Sequence, residues 1–254
     1  MPRDLATDAN DNLRSVVVRL AEELPAGAHR TFGPLTAAAA GVPVPIFNRV
    51  FVFDAPPAAD LTAAVDWIAE REVTFWVTAT DRAVEAVEIH CPDLDRDLAK
   101  ATEQPGMAMA SLDEIPARTS VAEIREVTDP DELADFSGVA ASIFDIPLDV
   151  ERRVDRAALA MDDVRPFLGR VEGDPAACGL LARSGDVAGV YTIGVVEEFR
   201  RRGIGKAMSW EVLRAGRDAG CRVGVLQSSE MAVPLYEEMG FETVTTYHLF
   251  EPAA

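Results

Sequence analysis

The strongest constraint on the fold of this chain is a segment in which an apolar strand leads through a glycine-containing turn into an amphipathic helix. Residues 187–195 are apolar and rich in β-branched side chains, which is typical of a buried strand. Downstream, apolar residues recur at helical spacing, at Ile204, Met208, Val212, Ala215 and Ala219. The turn at 200–205 therefore contains a helix N-terminus, where unpaired N–H groups and the helix dipole favour an anion such as phosphate.

A second strand-and-helix segment follows at residues 221–241. Residues 221–229 are typical of a strand, and Pro234 is tolerated in the first turn of a helix that Gly240 would end. Two strings, Arg200-x-x-Gly203-x-Gly205 and Leu235-Tyr236-Glu237-x-x-Gly240-Phe241, resemble in order and spacing the signatures of the GCN5-related N-acetyltransferases (GNAT). That family transfers an acyl group from acyl-CoA to an amine, and the resemblance extends over residues 120–251.

The resemblance implies the GNAT fold, an α/β (α+β) fold in which helices flank a mixed, largely antiparallel sheet. It also implies that the sheet opens where strand 187–195 meets the strand after Cys221. Hydrophobic periodicity predicts the preceding elements in the family's order: a strand at 121–127, helices at 131–144 and 150–161, and strands at 167–171 and 176–183. Asp129 and Pro130 are typical of the start of the first helix. We therefore predict a GNAT acetyltransferase domain over residues 120–254.

Residues 1–119 have a weaker pattern, from which we predict a separate N-terminal α/β domain. The elements of this domain are a strand at 48–53, a helix around 61–68, and strands at 73–78 and 106–109, without a phosphate-binding loop. Their order resembles the degenerate N-terminal half of some two-domain acetyltransferases. Two roles stay open: a wall of the acceptor pocket or a dimer surface, and a scaffold that only covers the sheet.

The resemblance implies acetyl-CoA, or another acyl-CoA, as the cofactor and indicates which residues would hold it. Backbone groups of Ile193, Gly194 and Val195 would pair with the pantetheine arm as an added strand. The amide of Val195 or Val196 would stabilise the oxyanion, and Ser229 stands where many relatives carry an asparagine that contacts pantetheine. The pyrophosphate would lie on the 200–206 loop, which consists of Arg200, Arg201, Arg202, Gly203, Ile204, Gly205 and Lys206.

Tyr236 corresponds to the family's tyrosine that donates a proton to the departing CoA sulfur. A phenol, with a pKa of about 10, stays protonated at neutral pH and can act as a general acid, although a core-packed tyrosine is the alternative. The glutamate that several relatives use as a general base has no equivalent, because Gly224 occupies its position. Glu230, Asp145 and a water held by Ser228 remain open as substitutes. An amine that arrives neutral would need only to be positioned.

Composition restricts the partners of the chain. The formal net charge of −19 argues against nucleic acid, which is bound by lysine and arginine in excess. The N-terminus has no apolar signal core, and no uncharged apolar run approaches the ~20 residues of a spanning helix. We therefore expect a cytoplasmic protein without a membrane partner. Cys91, Cys178 and Cys221 are too scattered to indicate a disulfide framework or a zinc site.

Only two of the 24 basic residues are lysines, and acidic residues are abundant. This composition favours a halophilic protein, in which carboxylates keep the surface hydrated and molar salt screens their repulsion. An arginine-rich protein from a high-GC bacterium is the alternative.

These observations predict an N-acyltransferase that uses acyl-CoA to acetylate a primary amine of a small molecule or peptide by direct attack. A ping-pong route is disfavoured, because Cys178 and Cys221 are lone thiols in apolar strands. The alternatives are a non-catalytic acyl-CoA-binding sensor or regulatory protein, and a hydroxyl acceptor. A homodimer is common in the family and stays open. Acceptor specificity would depend on residues 136–164, which contain no recognisable motif.

Overall fold

The computed structural model describes residues 3–90, 98–118 and 121–253, which divide into two compact units. The first unit comprises the residues up to Asn12, Ala108–Leu226 and Pro234–Glu242. The second comprises Leu13–Met107, Gln227–Val233 and the residues from Thr243 onwards. This division differs from the predicted boundary after residue 119, because residues 108–118 pack in the first unit and the C-terminal strand packs in the second. The identity of residues 1–119 as a degenerate acetyltransferase domain stays a prediction.

The described residues form helices and strands connected by short loops. In order, they are α1 (Leu5–Glu23), β1 (Ala28–Phe32), β2 (Leu35–Ala39), β3 (Asn48–Val52), α2 (Ala58–Ala69), β4 (Trp76–Thr80), α3 (Val84–His90), β5 (Leu98–Met109), β6 (Glu123–Glu126), α4 (Pro130–Phe144), α5 (Leu148–Leu159), β7 (Val164–Val171), β8 (Asp174–Ser184), β9 (Val187–Val195), α6 (Ile204–Asp218), β10 (Val223–Gln227), α7 (Val233–Glu238) and β11 (Glu242–Pro252). Within the described ranges, no helix combines the length and apolar character that crossing a membrane requires.

The first unit contains a mixed, mostly antiparallel sheet in the order β10-β9-β8-β7-β6. Neighbours from β6 to β9 are antiparallel, whereas β9 and β10 are parallel because α6 carries the chain between them. A Cβ at Gly179 would lie 2.7 Å from Met208 on α6, whereas a Cβ at Gly194 would lie 2.9 Å from Ile143 on α4. Helices α6 and α4 therefore cover opposite faces, which confirms the predicted sheet with flanking helices.

Local sequence explains how the elements of this unit begin and connect. The Asp129 carboxylate accepts hydrogen bonds of 2.9 Å from the N–H groups two and three residues ahead, and Pro130 takes the first position of α4, as predicted. Gly173 and Gly185 have φ angles of 96° and 59°, which glycine adopts without strain, and they form the turns from β7 to β8 and from β8 to β9.

The second unit contains a sheet in the order β1-β2-β3-β4-β11-β5. Strands β1 to β3 form an antiparallel meander, β3 and β4 are parallel with α2 between them, and β4 pairs antiparallel with β11. Leu61, Val65 and Ile68 of α2 are fully buried in the core of this unit. The predicted strand at 48–53 and helix around 61–68 are present as β3 and α2, whereas α1, β1 and β2 had no predicted counterpart.

Candidate active site

The 200–206 loop follows β9 and includes the first residues of α6. Arg201 and Gly203 have left-handed φ angles of 65° and 79°, and Gly203 caps α6 without any side-chain hydrogen bond. The N–H groups of the first turn of α6 are therefore left without a capping side chain. Loops of this kind, at the positive end of a helix dipole, bind anions.

The three arginines of the loop have different roles. Arg200 donates from Nε to the carbonyl oxygen of Val195 at 3.0 Å, and Arg202 donates from Nη2 to the carbonyl oxygen of Glu198 at 3.0 Å. Both side chains therefore stabilise the turn itself. Arg201 is exposed and makes no ion pair with any residue in the described part of the chain. Lys206 pairs with Glu238 at 2.8 Å on the surface, where such pairs are weak and exchange readily.

A β-bulge interrupts β9 at Thr192. Between the pairs Cys178↔Gly194 and Leu180↔Tyr191, two residues of β9 face one residue of β8. Thr192 has a φ angle of 52°, which is costly for a β-branched residue. The Cys178 thiol donates to the carbonyl oxygen of Thr192 at 3.2 Å and so stabilises the bulge.

Beyond the bulge, the edge of β9 that faces away from β8 is open. Among the described residues, β9 pairs with β10 only from Val187 to Gly189, so the two strands separate before the bulge. The Val196 N–H donates to the carbonyl oxygen of Ala176 on β8 at 2.9 Å. Because antiparallel strands alternate the direction of their backbone groups, the Val195 N–H points to the open edge.

Of the two amides predicted as oxyanion donors, Val196 is therefore engaged within the sheet, and Val195 is the one that is open. By the same alternation, Ile193 presents its backbone to the open edge, whereas Gly194 pairs with β8. The predicted opening of the sheet is present. The alternation of backbone direction decides which of the predicted residues has backbone groups at the open edge.

Tyr236 lies on α7, with its ring edge against Phe241 at a centroid distance of 5.7 Å. Its side chain is buried, which raises the pKa of the phenol, while a contact with the Ser209 hydroxyl opposes this rise. Ser209 in turn donates to the carbonyl oxygen of Gly205 at 3.0 Å. The Tyr236 hydroxyl thus lies beside the first turns of α6, and it keeps its proton at neutral pH.

The predicted substitutes for a general base, Asp145, Glu230 and a water held by Ser228, stay predictions. A side chain at Gly224 would enter the core, because its Cβ would lie 2.7 Å from Leu213. Asp145 is exposed and ends α4 in a left-handed conformation. The Ser228 hydroxyl donates to the carbonyl oxygen of Ser229 at 2.8 Å. Ser228, Ser229 and Glu230 all belong to the second unit.

Sequence reasoning missed two acidic residues of the first unit, Glu151 and Asp155 on α5. They are only 3% and 5% exposed, and burial raises the pKa of Glu151 to about 8 and that of Asp155 to about 7. A signal was present, because each acid directly follows an apolar residue of the buried face, at Val150 and Val154. Four-residue spacing therefore turns both carboxyl groups toward the core.

The cysteines offer no activated nucleophile among the described residues. Burial raises the pKa of the Cys178 and Cys221 thiols, which keeps both protonated. Cys91 lies outside the described residues.

The comparisons with known proteins concern the family and the fold. Residues 133–241 match the acetyltransferase (GNAT) family model. The chain is similar to a GCN5-related N-acetyltransferase from Kribbella flavida, at 17% identity and a TM-score of 0.70 over 95% of each chain. It is also similar to a GCN5-related N-acetyltransferase from Sphaerobacter thermophilus, at 16% identity and a TM-score of 0.64, over 85% of this chain and 76% of that one.

A tandem GNAT protein from the clavulanic acid biosynthesis pathway matches 91% of the chain and 85% of its own length, at 15% identity and a TM-score of 0.59. No curated protein sequence matches significantly. At these identities, the solved structures establish the fold alone.

Proposed function

Because residues 133–241 match the acetyltransferase (GNAT) family model, we propose that the protein transfers an acetyl group from acetyl-CoA to a primary amine by direct attack. The observation that carries the proposal is the junction of β9 with α6. Within one unit, it joins an open strand edge to a helix N-terminus with uncapped N–H groups. An extended arm that ends in a pyrophosphate requires these two features.

The residues at this junction fit acyl-CoA. Ile193 and Val195 would pair with the pantetheine arm, beside Gly194, and the first turn of α6 would receive the pyrophosphate together with Arg201 and Lys206. Arg200 and Arg202 would hold the loop in shape through the carbonyl groups that they already contact. Ser229 stays a proposed pantetheine contact. When bound, the cofactor supplies a thioester carbonyl that an amine can attack.

Two groups of the chain would act on the reacting atoms. The Val195 N–H is the proposed donor to the oxyanion, because it faces the open edge. Tyr236 is the proposed general acid, because its buried phenol is protonated and lies beside the first turns of α6. Neither Cys178 nor Cys221, the cysteines among the described residues, has a thiol activated for a covalent intermediate, which favours direct attack by the amine.

The runner-up function is a non-catalytic sensor or regulatory protein that binds acyl-CoA. The observation in its favour is Gly224, because this position has no carboxylate and leaves no space for one. The sensor and the enzyme share the cofactor site and differ in turnover.

Several broader expectations accompany the proposal. The acceptor would be an amine of a small molecule or peptide, with no nucleic acid or membrane as a partner, and the protein would work in a salt-rich cytoplasm, with a homodimer left open. The proposal of a degenerate acetyltransferase-like half in residues 1–119 is supported by the likeness of 91% of the chain to a tandem GNAT protein.

The test is calorimetric titration of acetyl-CoA into the protein in concentrated KCl, with Gly203→Glu as the disrupting variant. Gly203 has a left-handed φ angle and open space around it, so the glutamate would bring strain and negative charge to the loop. Gly173→Glu is a matched control, because Gly173 also has a left-handed φ angle and open space, in the β7–β8 turn.

We expect saturable binding by the wild type and Gly173→Glu, and none by Gly203→Glu. Equal binding of acetyl-CoA by both variants would show that the cofactor does not bind at the 200–206 loop. A folded wild type that does not bind acetyl-CoA would contradict the proposed function.

A further inference from the structure

The turn between α4 and α5 exposes apolar side chains on the surface of the first unit. Residues 143–148, which we call the apolar turn, have the sequence Ile-Phe-Asp-Ile-Pro-Leu. Phe144 is 43% exposed and Leu148 is 39% exposed, while Ile143 and Ile146 are half-buried. Large apolar side chains that lie together at a surface often mark a binding site, because exposure to water is unfavourable for them.

The backbone of the apolar turn is held by hydrogen bonds on both sides. Asp145 ends α4 with a left-handed φ angle of 53°, and the N–H groups of Asp145 and Ile146 both donate to the carbonyl oxygen of Ala141. The carbonyl oxygen of Pro147 accepts from the N–H groups three and four residues ahead, at 2.9 and 3.0 Å, and so begins α5. The turn is therefore already ordered, which reduces the entropy that binding would cost.

Ile143 connects the apolar turn to β9. Its Cδ1 and Cγ2 atoms would both lie 2.9 Å from a Cβ at Gly194, so this side chain packs directly on the backbone of β9. Gly194 precedes Val195, whose N–H is the proposed donor to the oxyanion. The apolar turn therefore begins one residue away from the proposed place of the acyl group, on the face of the sheet that α4 covers. An acceptor that reached the acyl group from this face would lie against the turn.

The size of the apolar turn favours a small molecule over a protein partner. A stable protein interface takes about 800 Å² of surface from each partner, contributed by about 20–30 residues. The apolar turn has six residues, and two of them are half-buried. The exposed residues that follow on α5 are charged, at Asp149, Arg152, Arg153 and Arg156. The apolar surface is therefore limited to an area that one ring or one short alkyl chain would cover.

We propose that the acceptor is a small primary amine with a hydrophobic body, and that Phe144, Ile146 and Leu148 bind this body while the amine reaches the acyl group. The inference rests on the proposed acetyl transfer and specifies its acceptor. Contact with the apolar turn removes apolar surface of both partners from water, which drives the binding. An amine that is polar along its whole length gains nothing from this contact.

The test measures acetyl transfer to ethylamine, butylamine and hexylamine, which share one kind of amine and differ in apolar length. A fourth amine, 2-(2-aminoethoxy)ethanol, is as long as hexylamine, but oxygen atoms replace one methylene group and the terminal methyl group. Acetyl-CoA binding is established first, by calorimetry. Thiol release then gives kcat/KM for each amine.

The same series is measured for Phe144→Gln and Leu148→Gln. Leu159→Gln is the matched control, because Leu159 is also a leucine of α5, is 36% exposed, and lies at the other end of the helix. All three side chains are exposed, so their replacement should cost little stability. Thermal unfolding of each variant checks this, and the wild-type series decides alone if a variant does not fold.

For the wild type, we expect kcat/KM to rise about two- to fourfold with each added methylene group. Hexylamine should exceed 2-(2-aminoethoxy)ethanol by about tenfold or more. Phe144→Gln and Leu148→Gln should each lower kcat/KM for hexylamine about tenfold more than for ethylamine, whereas Leu159→Gln should behave as the wild type. A merely structural role of these side chains would lower the rates with both amines equally.

Four results would count against these expectations. Equal kcat/KM for all four amines, or equal losses toward ethylamine and hexylamine in the variants, would overturn the inference. A wild-type dimer that Phe144→Gln or Leu148→Gln converts to a monomer in sedimentation would overturn it too, because a second copy would then cover the turn. A wild type that binds acetyl-CoA but transfers to none of the amines would overturn the substrate class. A wild type that does not bind acetyl-CoA would instead overturn the proposed function, so the two failures are distinguishable.

Discussion

At the residue scale, Tyr236 and Ser209 link the proposed chemistry of the site to the first turns of α6. The buried phenol of Tyr236 keeps its proton. The Ser209 hydroxyl, which lowers the pKa of this phenol, donates a hydrogen bond to the carbonyl oxygen of Gly205. We expect Tyr236→Phe to lower kcat by about 100-fold or more, because the departing thiolate loses its proton donor. The affinity for acetyl-CoA should not change. Thiol-release kinetics and calorimetry measure the two quantities.

Tyr191→Phe is the matched control, since it also removes a hydroxyl in the first unit. The Tyr191 hydroxyl donates to Asn12 at 2.7 Å, so its loss should cost about 1 kcal/mol of stability and leave turnover intact. Equal turnover in Tyr236→Phe and the wild type would assign Tyr236 to the core instead of the reaction.

The buried pair on α5 should also make stability depend on pH. Glu151 and Asp155 have a pKa of about 8 and about 7 in the folded chain, against 4.5 and 3.8 for the ordinary groups. At a pH between the ordinary and the raised pKa values, the native state binds more protons than the unfolded state. The free energy of unfolding therefore falls as pH rises from about 4 to about 8. Urea unfolding across this range measures the slope.

Replacing the pair by Glu151→Gln and Asp155→Asn together should flatten that slope relative to the wild type and stabilise the protein at the alkaline end. Subtracting the wild-type curve removes the contribution of the many surface carboxylates. An unchanged slope would show that both groups are ionised and hydrated in the native state.

At the scale of elements, local signals account for what was predictable. The β-branched run gave β9 its bounds, and Gly203 and Gly205 indicated the start of α6, because neighbouring residues alone decide these features. The bulge at Thr192 has no such mark, since it arises from pairing with β8 and from the Cys178 thiol. The engagement of the Val196 amide likewise depends on strand register, which only the assembled sheet defines.

Two further elements were missed for different reasons. Strand β2 contains Ala37, Ala38 and Ala39, a composition that favours a helix, and pairing in the sheet overrides that preference. Helix α1 does show apolar spacing, at Ala9, Leu13 and Val17, but the asparagines and aspartates between them obscure it. The acidic pair on α5 was missed because acidic residues on an amphipathic helix are normally exposed.

At the scale of the whole molecule, the two units repeat one order of elements. In the first, β7, β8 and β9 are antiparallel and α6 leads to the parallel strand β10. In the second, β1, β2 and β3 are antiparallel and α2 leads to the parallel strand β4. This repeat supports the proposal that the N-terminal region is a degenerate acetyltransferase-like half.

The second unit lacks the features on which the proposed anion site of the first unit rests. The loop before α2 contains Pro56 and Pro57, which have no N–H group to donate, and Asp54 and Asp60 add negative charge at the helix start. Phosphate would therefore be repelled where the first unit is proposed to bind it. One cofactor site per chain is the expected stoichiometry.

The C-terminal strand makes a further prediction about how the chain can be divided. Residues of β11 from Tyr247 to Phe250 pair with β4, and Phe250 is buried in the core of the second unit. A cut at the sequence-predicted boundary would therefore take a core strand from one fragment and leave it unpaired in the other. We expect fragments 1–119 and 120–254, expressed separately, to lack a cooperative thermal transition by circular dichroism. As a control, a protease site is inserted at that boundary and the full chain is cleaved after it has folded. The cleaved protein should keep its thermal transition, because β4 and β11 stay paired after cleavage. A cooperative transition in the isolated fragment 120–254 would show instead that these residues fold without β4, and one in the isolated fragment 1–119 would show that β11 is dispensable to the second unit.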